Sequence, residues 1–390
     1  MFALLLPVYA LVARTSFRRA LLTAIGLYIV FLIHPSLLLL LLLFWTLIWA
    51  GQRLIVYSDG MARQGLVVVL IIVAALTPMV LMKLGLLNGL VRTAAIPLFD
   101  LLPPILRDLN NAKLFEALGF SFATFRAVDL LMETLVGAVR PLSLPRVLFF
   151  GFFPAVQVVG PIAGERHIDE QELQRPITAD DVAIGVKRIF IGLFKAIILS
   201  YPPLFDTISG ILTNYDSVAP LKLWAALYLF VVMFYLNFAG YSDIAIGCAR
   251  LYGFRLPENF DWPLLKATPS KFWASWHMSL TGLIQRTVFI AVGGHRHHTH
   301  FLAIMITMMV IALWHGISFQ WVIFGLYHGV VVAGTRYFEL RRPKPAAPSG
   351  MASTALGIAA TQLYFILGFP IWIVPMDKVS GFYLKLLGLG

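Results

Sequence analysis

Residues 21–49 read LLTAIGLYIVFLIHPSLLLLLLLFWTLIW, and this stretch decides the class of fold. It contains no charged residue and is interrupted only by the pair His34-Pro35. A helix needs about 20 mostly apolar residues to cross the hydrocarbon core of a bilayer, and a proline disrupts the helical hydrogen bonds around it. The stretch therefore predicts membrane-spanning helices with a break at the His-Pro pair.

Further long apolar runs follow along the chain, at residues 65–82, 144–159, 184–199, 221–238, 307–333 and 356–374. Hydrophobic residues make up 59% of the 390 residues and charged residues 13%, and the mean hydropathy is +0.85, values that exclude an ordinary soluble domain. We expect an all-α polytopic membrane protein, with roughly ten to eleven transmembrane helices and short re-entrant helices around a central tunnel.

The net charge of +11 would suit a nucleic-acid-binding protein, but the positions of the charges favour a membrane protein. Basic residues lie at the ends of apolar segments, where membrane topology and anionic lipid headgroups favour them: Arg18-Arg19, Arg53, Lys187-Arg188, Arg250 and Arg341-Arg342-Lys344. The only cysteine, Cys248, excludes an internal disulfide and a cysteine-rich metal site, so we expect it to pack in the core.

Two polar segments interrupt the apolar pattern. Residues 164–181, GERHIDEQELQRPITADD, form the only long acidic stretch, which we interpret as a solvated connection. Residues 339–350, ELRRPKPAAPSG, form a basic, proline-rich linker before the last apolar run. The positive-inside rule places this linker on the cytoplasmic face.

Residues 275–329 carry the strongest functional signal. They place His277 in Ser-Trp-His-Met-Ser-Leu and His315 in Leu-Trp-His-Gly, both within membrane-like sequence. An ionisable side chain among apolar residues is costly unless it is hydrogen-bonded, and it is a functional-site hypothesis by default. Histidine is also the side chain best suited to proton transfer near neutral pH.

The sequence around each histidine predicts where it lies. Prolines 257, 263 and 269 break the segment before His277, and broken segments at membrane depth are tolerated where they line an enclosed cavity. We therefore expect His277 on a short or re-entrant helix facing the tunnel. His315 follows the apolar run 301–313, so we expect it deeper, and the chain between the two is long enough to fold back and bring them together.

Several neighbouring residues are candidates for lining the same tunnel. Trp276 and Trp314 would supply flat apolar walls, and Ser279 would supply a hydroxyl. Gly316 would allow another backbone or a substrate to approach His315. Asn259 lies in a rigid turn whose polar side chains either cap helices or face the cavity.

Three further candidates have a structural alternative. Tyr241 and Asp243 follow a long apolar run, and Asp243 shares a helical face with Arg250, so a structural ion pair is as good an interpretation as a catalytic role. On a continuous helix His328 would point away from His315, which favours a structural or supporting role. The dense His-Arg-His segment 293–300 has no helical metal-ligand spacing, and we interpret it as a basic loop that meets phosphate or an acidic partner.

The chemistry that these residues favour is acyl transfer from a thioester to a hydroxyl. No glycine-rich phosphate loop, HExxH motif or hydrolytic serine signature is present. A histidine base in a water-excluding tunnel would remove the hydroxyl proton while the thioester is protected from hydrolysis. We expect no bound cofactor and no metal, with an acyl-CoA or an acyl carrier protein thioester as donor substrate.

The motifs of the chain, taken in order, resemble those of the membrane-bound O-acyltransferases, in the bacterial branch of alginate O-acetyltransferase and the teichoic-acid D-alanyl transfer protein. The matching segments are 119–126, 153–162, 241–247, 253–260, 272–280, 293–294, 313–316 and 325–329. The resemblance implies a ring of tilted helices in which His315 is the catalytic histidine and His277 a second tunnel histidine. It also implies a cytoplasmic donor, an outer-face acceptor, an extracytoplasmic acyltransferase partner and a bacterial inner-membrane location.

Two positions differ from the family pattern and bear on the donor. Relatives often carry a basic pair where this chain has Ala274-Ser275, and an Arg-Asp pair where it has Gln285-Arg286. Both positions lie where contacts to donor phosphate or to a carrier protein are expected.

The sequence thus favours a single membrane domain over residues 1–390, with N-terminal helices (1–114), a motif-bearing core (115–330), a linker (339–350) and a C-terminal helix (351–390). We expect transfer of a small acyl group, acetyl, toward an exported polysaccharide or envelope glycan. The alternatives are D-alanyl transfer from a carrier protein to a teichoic-acid-like acceptor, a non-enzymatic transporter or flippase, and a lipid or sterol acyltransferase. A transporter would show broken half-helices in two matching halves, whereas here the breaks cluster in residues 257–300.

Overall fold

The computed structural model describes residues 6–11, 14–33, 35–83, 120–157, 159–169, 173–200, 202–296, 298–341 and 350–389. Within these ranges the chain is helical or irregular, and the one isolated β-bridge joins Phe260 and Trp276. The predicted all-α class is confirmed.

The α-helices of the described part begin, in chain order, with α1 (Leu6–Leu11), α2 (Thr15–Ile33), α3 (Pro35–Tyr57), α4 (Met61–Lys83), α5 (Phe120–Leu135), α6 (Leu144–Gly151) and α7 (Ala179–Leu193). They continue with α8 (Pro202–Thr213), α9 (Pro220–Leu251), α10 (Pro269–Ser275), α11 (Met278–Ile284), α12 (His300–His315), α13 (Phe319–Arg341), α14 (Met351–Ile373) and α15 (Val379–Leu386). Two π-helical segments, Phe194–Leu199 and Gln285–Phe289, directly follow α7 and α11.

The protein is a multi-pass membrane protein. Five helices within the described ranges are long and apolar enough to cross a bilayer, namely α2, α3, α4, α9 and α14. The break predicted in the first apolar stretch is confirmed by the boundary between α2 and α3, although His34 itself lies outside the described residues. The total number of crossings, the central tunnel and the subdivision of the chain stay predictions.

Two of the predicted spanning segments are wrong. In the predicted segment 144–159, the described residues 144–157 form only the short helix α6 and the 3₁₀ turn Pro154–Val156, because Pro154 has no N–H and disfavours helical geometry in the residue before it. Residues 307–333 are divided between α12 and α13, because Gly316 adopts an extended backbone (φ −172°, ψ 149°) that ends α12. His315 is therefore the last residue of a helix and does not lie inside one.

The chain forms two compact units, one of Met1–Phe190 with Asp243–Pro257 and the other of Ile191–Ser242 with Glu258–Gly390. In the first unit, an aromatic core forms where α3, α5 and α6 pack together. Trp45 contacts Phe150 at 5.6 Å between ring centroids, and Phe153 contacts Phe254 at 4.8 Å. The amide of Gln52 on α3 donates to the Thr134 hydroxyl on α5 at 2.7 Å, which satisfies two buried polar groups between these helices.

Buried ion pairs join helices within the first unit, and they correct the predicted pairing of Asp243 with Arg250. Asp243 pairs with Arg188 of α7 at 3.0 Å, whereas Arg250 pairs with Asp181 of α7 at 2.9 Å. Sequence spacing places Asp243 and Arg250 on one helical face, but the neighbouring helix α7 supplies an opposite charge for each.

The acidic connection 164–181 is less solvated than predicted. Glu165 is buried beside Arg146, and Asp181 is completely buried, because the arginines supply the counter-charges. Residues 170–172 of this segment lie outside the described residues. The predicted linker 339–350 begins later than expected, since α13 extends to Arg341, and residues 342–349 lie outside the described residues.

In the second unit, prolines set the boundaries of the short elements around His277. Pro263 starts the 3₁₀ turn Pro263–Leu265, and Pro269 starts α10, where its missing N–H costs nothing. The Thr268 hydroxyl caps α10 by accepting from the Lys271 N–H at 3.4 Å. Short helices flank His277 as expected, but the prediction that His277 itself lies on a helix is wrong, because it occupies the junction between α10 and α11 with a left-handed backbone.

Candidate active site

His277 lies in a backbone clamp between two extended segments. The N–H of Asp261 donates to the carbonyl of Ser275 at 3.0 Å, and the N–H of Met278 donates to the carbonyl of Asn259 at 2.8 Å. His277 itself has φ +46°, the left-handed region, where a non-glycine residue is held only by its surroundings. Such strain is concentrated at functional sites, so the clamp points to a requirement for this orientation of the imidazole.

A chain of buried polar side chains supports the clamp. The Asn259 side chain donates to the Ser242 hydroxyl at 3.0 Å and accepts from the Ser279 hydroxyl at 2.6 Å. Asn259, Ser242 and Ser279 are all buried, so their hydrogen bonds are worth more than they would be in water. The Asn259 amide therefore connects α9 and the first turn of α11 to the segment that precedes α10.

We expect Asn259→Ala to lower the free energy of unfolding by about 2 kcal/mol, because it deprives two buried hydroxyls of a partner. Thermal unfolding in detergent measures the change. Asn214→Ala is the matched control, since Asn214 is exposed and its side-chain amide donates to the carbonyl of Gly210, a neighbour within the same turn. Equal losses of stability in the two variants would contradict a supporting role for Asn259.

Aromatic rings enclose the buried His277 and Trp276. Phe238 of α9 meets the His277 ring edge-to-face at 4.8 Å. Trp276 lies parallel to Phe272 at 5.5 Å and to Phe234 at 6.2 Å. His277 is only 4% exposed, and the role of Trp276 as a wall of the tunnel stays a prediction.

His315 ends α12 and is exposed, whereas His277 is buried, and the relative depth of the two histidines in the membrane stays a prediction. Three indoles bound its ring. Trp314 lies at 4.5 Å, Trp321 is stacked on it at 5.0 Å with an interplanar angle of 18°, and Trp372 lies at 6.1 Å. The imidazole of His315 is thus exposed while three tryptophan rings contact it.

Trp314 also brings the two candidate histidines into one cluster. Its ring centroid is 4.5 Å from that of His315 and 6.2 Å from that of His277. The predicted fold-back of the chain between the two histidines is therefore observed. One buried and one exposed imidazole contact the same indole.

His328 belongs to a separate buried network next to this cluster. Its Nδ1 lies 2.5 Å from the hydroxyl of Tyr364, which also accepts from the indole N–H of Trp273 at 3.0 Å. The premise of a continuous helix from His315 to His328 is wrong, because residues 316–318 separate α12 from α13. The contacts of His328 agree with the supporting role expected for it.

The remaining candidates are Tyr241, Asp243 and the histidines of residues 293–300. Tyr241 is 45% exposed on α9, and Asp243 belongs to the first unit, where it pairs with Arg188. In the loop 293–300, His300 Nδ1 lies 2.7 Å from the carbonyl of Gly294, and His297 lies outside the described residues. Among the residues that the structure describes, no group of three or more His, Cys, Asp or Glu side chains is placed to hold a metal ion.

Sequence reasoning missed several residues of the site, namely Trp321, Trp372, Phe238, Ser242 and Tyr364. Sequence reasoning could have identified Trp321, because it lies only five residues after Gly316 of the Trp-His-Gly motif. Trp372 lies near the end of α14, far along the chain, and no local pattern distinguishes it from the other tryptophans of an apolar helix.

The helical membrane fold, together with the comparison with known families, assigns the protein to the membrane acyltransferases. The chain belongs to the membrane-bound O-acyltransferase family, and the model of this family matches residues 106–376. The family resemblance inferred from the motifs is thereby confirmed, and with it an enzyme of the acyltransferase class.

Individual relatives act on different polymers. The chain is 31% identical to the teichoic acid D-alanyltransferase of Bacillus subtilis over 66% of this chain and 69% of the relative. It is 29% identical to the probable alginate O-acetylase AlgI of Pseudomonas aeruginosa over 55% of this chain and 42% of the relative. It is 26% identical to the peptidoglycan O-acetyltransferase of Helicobacter pylori over 52% of this chain and 40% of the relative. The matched part thus covers less than half of each of the two O-acetylating relatives.

Proposed function

We propose that this protein moves a small acyl group, acetyl, from a cytoplasmic thioester across the bacterial inner membrane toward an exported polysaccharide or envelope glycan. Family membership supports the acyltransferase chemistry. The names of the alginate and peptidoglycan relatives support O-acetylation of an exported glycan. An extracytoplasmic acyltransferase would take the group onward to the polymer.

The observation that carries the proposal is the accessible imidazole of His315 beside the buried imidazole of His277. His315 acts as general base and accepts the proton of the acceptor hydroxyl. The hydroxyl oxygen forms a new bond to the thioester carbonyl carbon, the C–S bond breaks, and the leaving thiolate takes up the proton. The products are an O-acyl ester and a free thiol, and His315 returns to its neutral form.

The other residues of the cluster position the reactants. His277, held by its strained backbone, orients the reacting groups together with Ser279 and Asn259. Trp276 and Trp314 form apolar walls that keep water from the thioester. The thioester donor, an acyl-CoA or an acyl carrier protein, is a substrate, and the transfer requires no bound cofactor.

D-Alanyl transfer from a carrier protein to a teichoic-acid-like acceptor is the second candidate. It is favoured by the higher identity and greater coverage of the D-alanyltransferase of Bacillus subtilis. The chemistry at His315 is the same for both candidates, since each transfers an acyl group from a thioester to a hydroxyl. The two candidate functions therefore differ in which donor the protein uses and which acyl group it transfers.

We expect purified protein in detergent to consume radiolabelled acetyl-CoA, or an acetyl carrier-protein thioester, with a rate that depends on His315. Thioester loss and formation of acylated acceptor are followed together, with D-alanyl carrier protein offered in parallel. Turnover of the D-alanyl donor alone would replace acetyl transfer by the second candidate. Histidine-independent turnover of every donor would contradict the proposed mechanism, and a folded protein that turns over none of them would revive the transporter hypothesis.

A further inference from the structure

The most specific contact of His315 is a face-to-face stack with Trp321. The ring centroids are 5.0 Å apart and the planes differ by 18°, whereas Trp372 meets the same imidazole at 6.1 Å and 42°. Trp321 is itself fixed by Phe324 at 5.4 Å and by Trp372 at 6.0 Å. The contacts with Phe324 and Trp372 therefore restrict the orientation of the Trp321 indole beside the imidazole.

The local sequence is built to allow this stack. A Cβ atom at residue 316 would lie 2.1 Å from the indole nitrogen of Trp321, so only glycine leaves room for the ring. Trp321 follows in the first turn of α13, where its N–H donates to the carbonyl of Ser318 at 3.1 Å. The neighbouring Gln320 donates to the carbonyls of Trp372 and Val374, at 3.0 and 3.1 Å, which holds the end of α14 against the same cluster.

We propose that Trp321 is a positioning residue for His315, whose indole face fixes the imidazole plane and stabilises the imidazolium formed when His315 accepts the acceptor proton. This inference rests on the proposed function of His315 as general base. An indole face attracts a cation within about 6 Å of its centroid, and the attraction strengthens when the pair is desolvated. The ring centroids of His315 and Trp321, 5.0 Å apart, lie within this distance, and the attraction arises only when the imidazole is charged.

This charge dependence separates the role of Trp321 from simple packing. A neutral imidazole gains only ordinary stacking energy from the indole, whereas the imidazolium gains the cation–π attraction in addition. An interaction that strengthens as the proton is transferred raises kcat, whereas one equal in ground and transition states changes KM. Trp321 should therefore affect kcat, with little effect on the KM for the donor.

The test compares initial rates of full-length protein in detergent, with the thioester donor that the wild type uses. Trp321→Leu should lower kcat about tenfold, which corresponds to about 1.4 kcal/mol, with KM for the donor within about twofold. Trp321→Phe, which keeps an aromatic face, should recover kcat to within about threefold of the wild type. Trp224→Leu removes an equal volume from α9, where the indole N–H donates to the carbonyl of Leu386 at 3.0 Å, and it should lower kcat much less than Trp321→Leu.

A second measurement does not require turnover. A protonated imidazole stacked on an indole quenches its fluorescence, so acidification should reduce the tryptophan fluorescence of the wild type. This quenching should be lost in His315→Ala, reduced in Trp321→Phe because only Trp314 and Trp372 then remain beside the imidazole, and kept in full in Trp224→Phe. Quenching that is unchanged in Trp321→Phe would overturn the proposed contact.

The kinetic results also separate this inference from the proposed function. Full activity of His315→Ala would contradict the general-base assignment itself. Loss of activity in His315→Ala with normal kcat in Trp321→Leu would overturn only the role of Trp321. Equal losses in the two leucine variants, or a raised KM with unchanged kcat, would reduce Trp321 to a packing residue.

Discussion

His315→Ala is expected to lower kcat for acyl transfer by about 10³-fold while leaving the protein folded, because general-base catalysis contributes about 10²–10⁴-fold. The side chain is exposed at the end of α12, so its removal leaves no buried cavity in the helix bundle. The measurement is single-turnover transfer by purified protein, beside a thermal unfolding curve of each variant in the same detergent.

Two further variants give this prediction its controls. His315→Gln keeps hydrogen-bonding capacity without a titratable base, so its loss should match that of His315→Ala if proton transfer is the role of the residue. Asn214→Ala removes an exposed polar side chain just after α8 and should keep the wild-type rate. Near-normal transfer by His315→Gln would reassign His315 from base to hydrogen-bonding residue.

Asp181→Asn is expected to destabilise the first unit by about 3 kcal/mol, because removing one partner of a buried ion pair leaves the opposite charge uncompensated. Asp181 is fully buried and lies 2.9 Å from the Nε of Arg250 and 3.0 Å from an Nη of Arg175. It also forms a reciprocal cap with Thr178, accepting from the N–H and hydroxyl of Thr178 while its own N–H donates to that hydroxyl. The exposed control is Asp180→Asn in the same helical turn, which should change stability by less than about 0.5 kcal/mol.

The contribution of Asp181 should depend on pH in a defined direction. Burial alone would raise the pKa of this carboxyl, but hydrogen bonds from Thr178 and Arg175 and the charge of Arg250 outweigh burial and hold the pKa below its usual value. A carboxyl with a lowered pKa stabilises the fold above its unfolded pKa, about 3.9, and this stabilisation is lost as the pH falls through the folded pKa. The difference in unfolding temperature between wild type and Asp181→Asn should therefore be constant near neutral pH and shrink below about pH 4. A difference that grows with acidification would contradict the ion-pair account.

Much of the fold could be predicted because its causes are local. The apolar stretch 21–49 and the later runs mark membrane-spanning helices by composition alone. Pro35, Pro220 and Pro269 each start a helix, as the missing N–H of proline favours at a first helical position. The wrong predictions, at residues 144–159 and 307–333, took the length of an apolar run as evidence for a continuous helix. In both runs the backbone leaves the helical conformation, after α6 in the first and at Gly316 in the second.

The candidate site was predicted in part for the same reason. His277 and His315 stand out because an imidazole beside a tryptophan is conspicuous in apolar sequence. The sequence does not show that Trp321 stacks on His315, because this contact depends on the turn at Gly316. It also does not show that Trp372 approaches His315, because Trp372 lies on α14, a later helix of the chain. Their effect on His315 is a matter of ring orientation, which sequence spacing does not encode.

The sequence by itself determined that this protein lies in a membrane, that it is helical, and which two histidines carry the family motifs, because hydropathy and motif are properties of adjacent residues. Only the tertiary structure decided which histidine is exposed, which indole faces it, and which arginine neutralises each buried carboxylate. The physical reason is that stacking and charge compensation act over a few ångströms in space. Those distances are set by the packing of helices whose residues lie far apart along the chain.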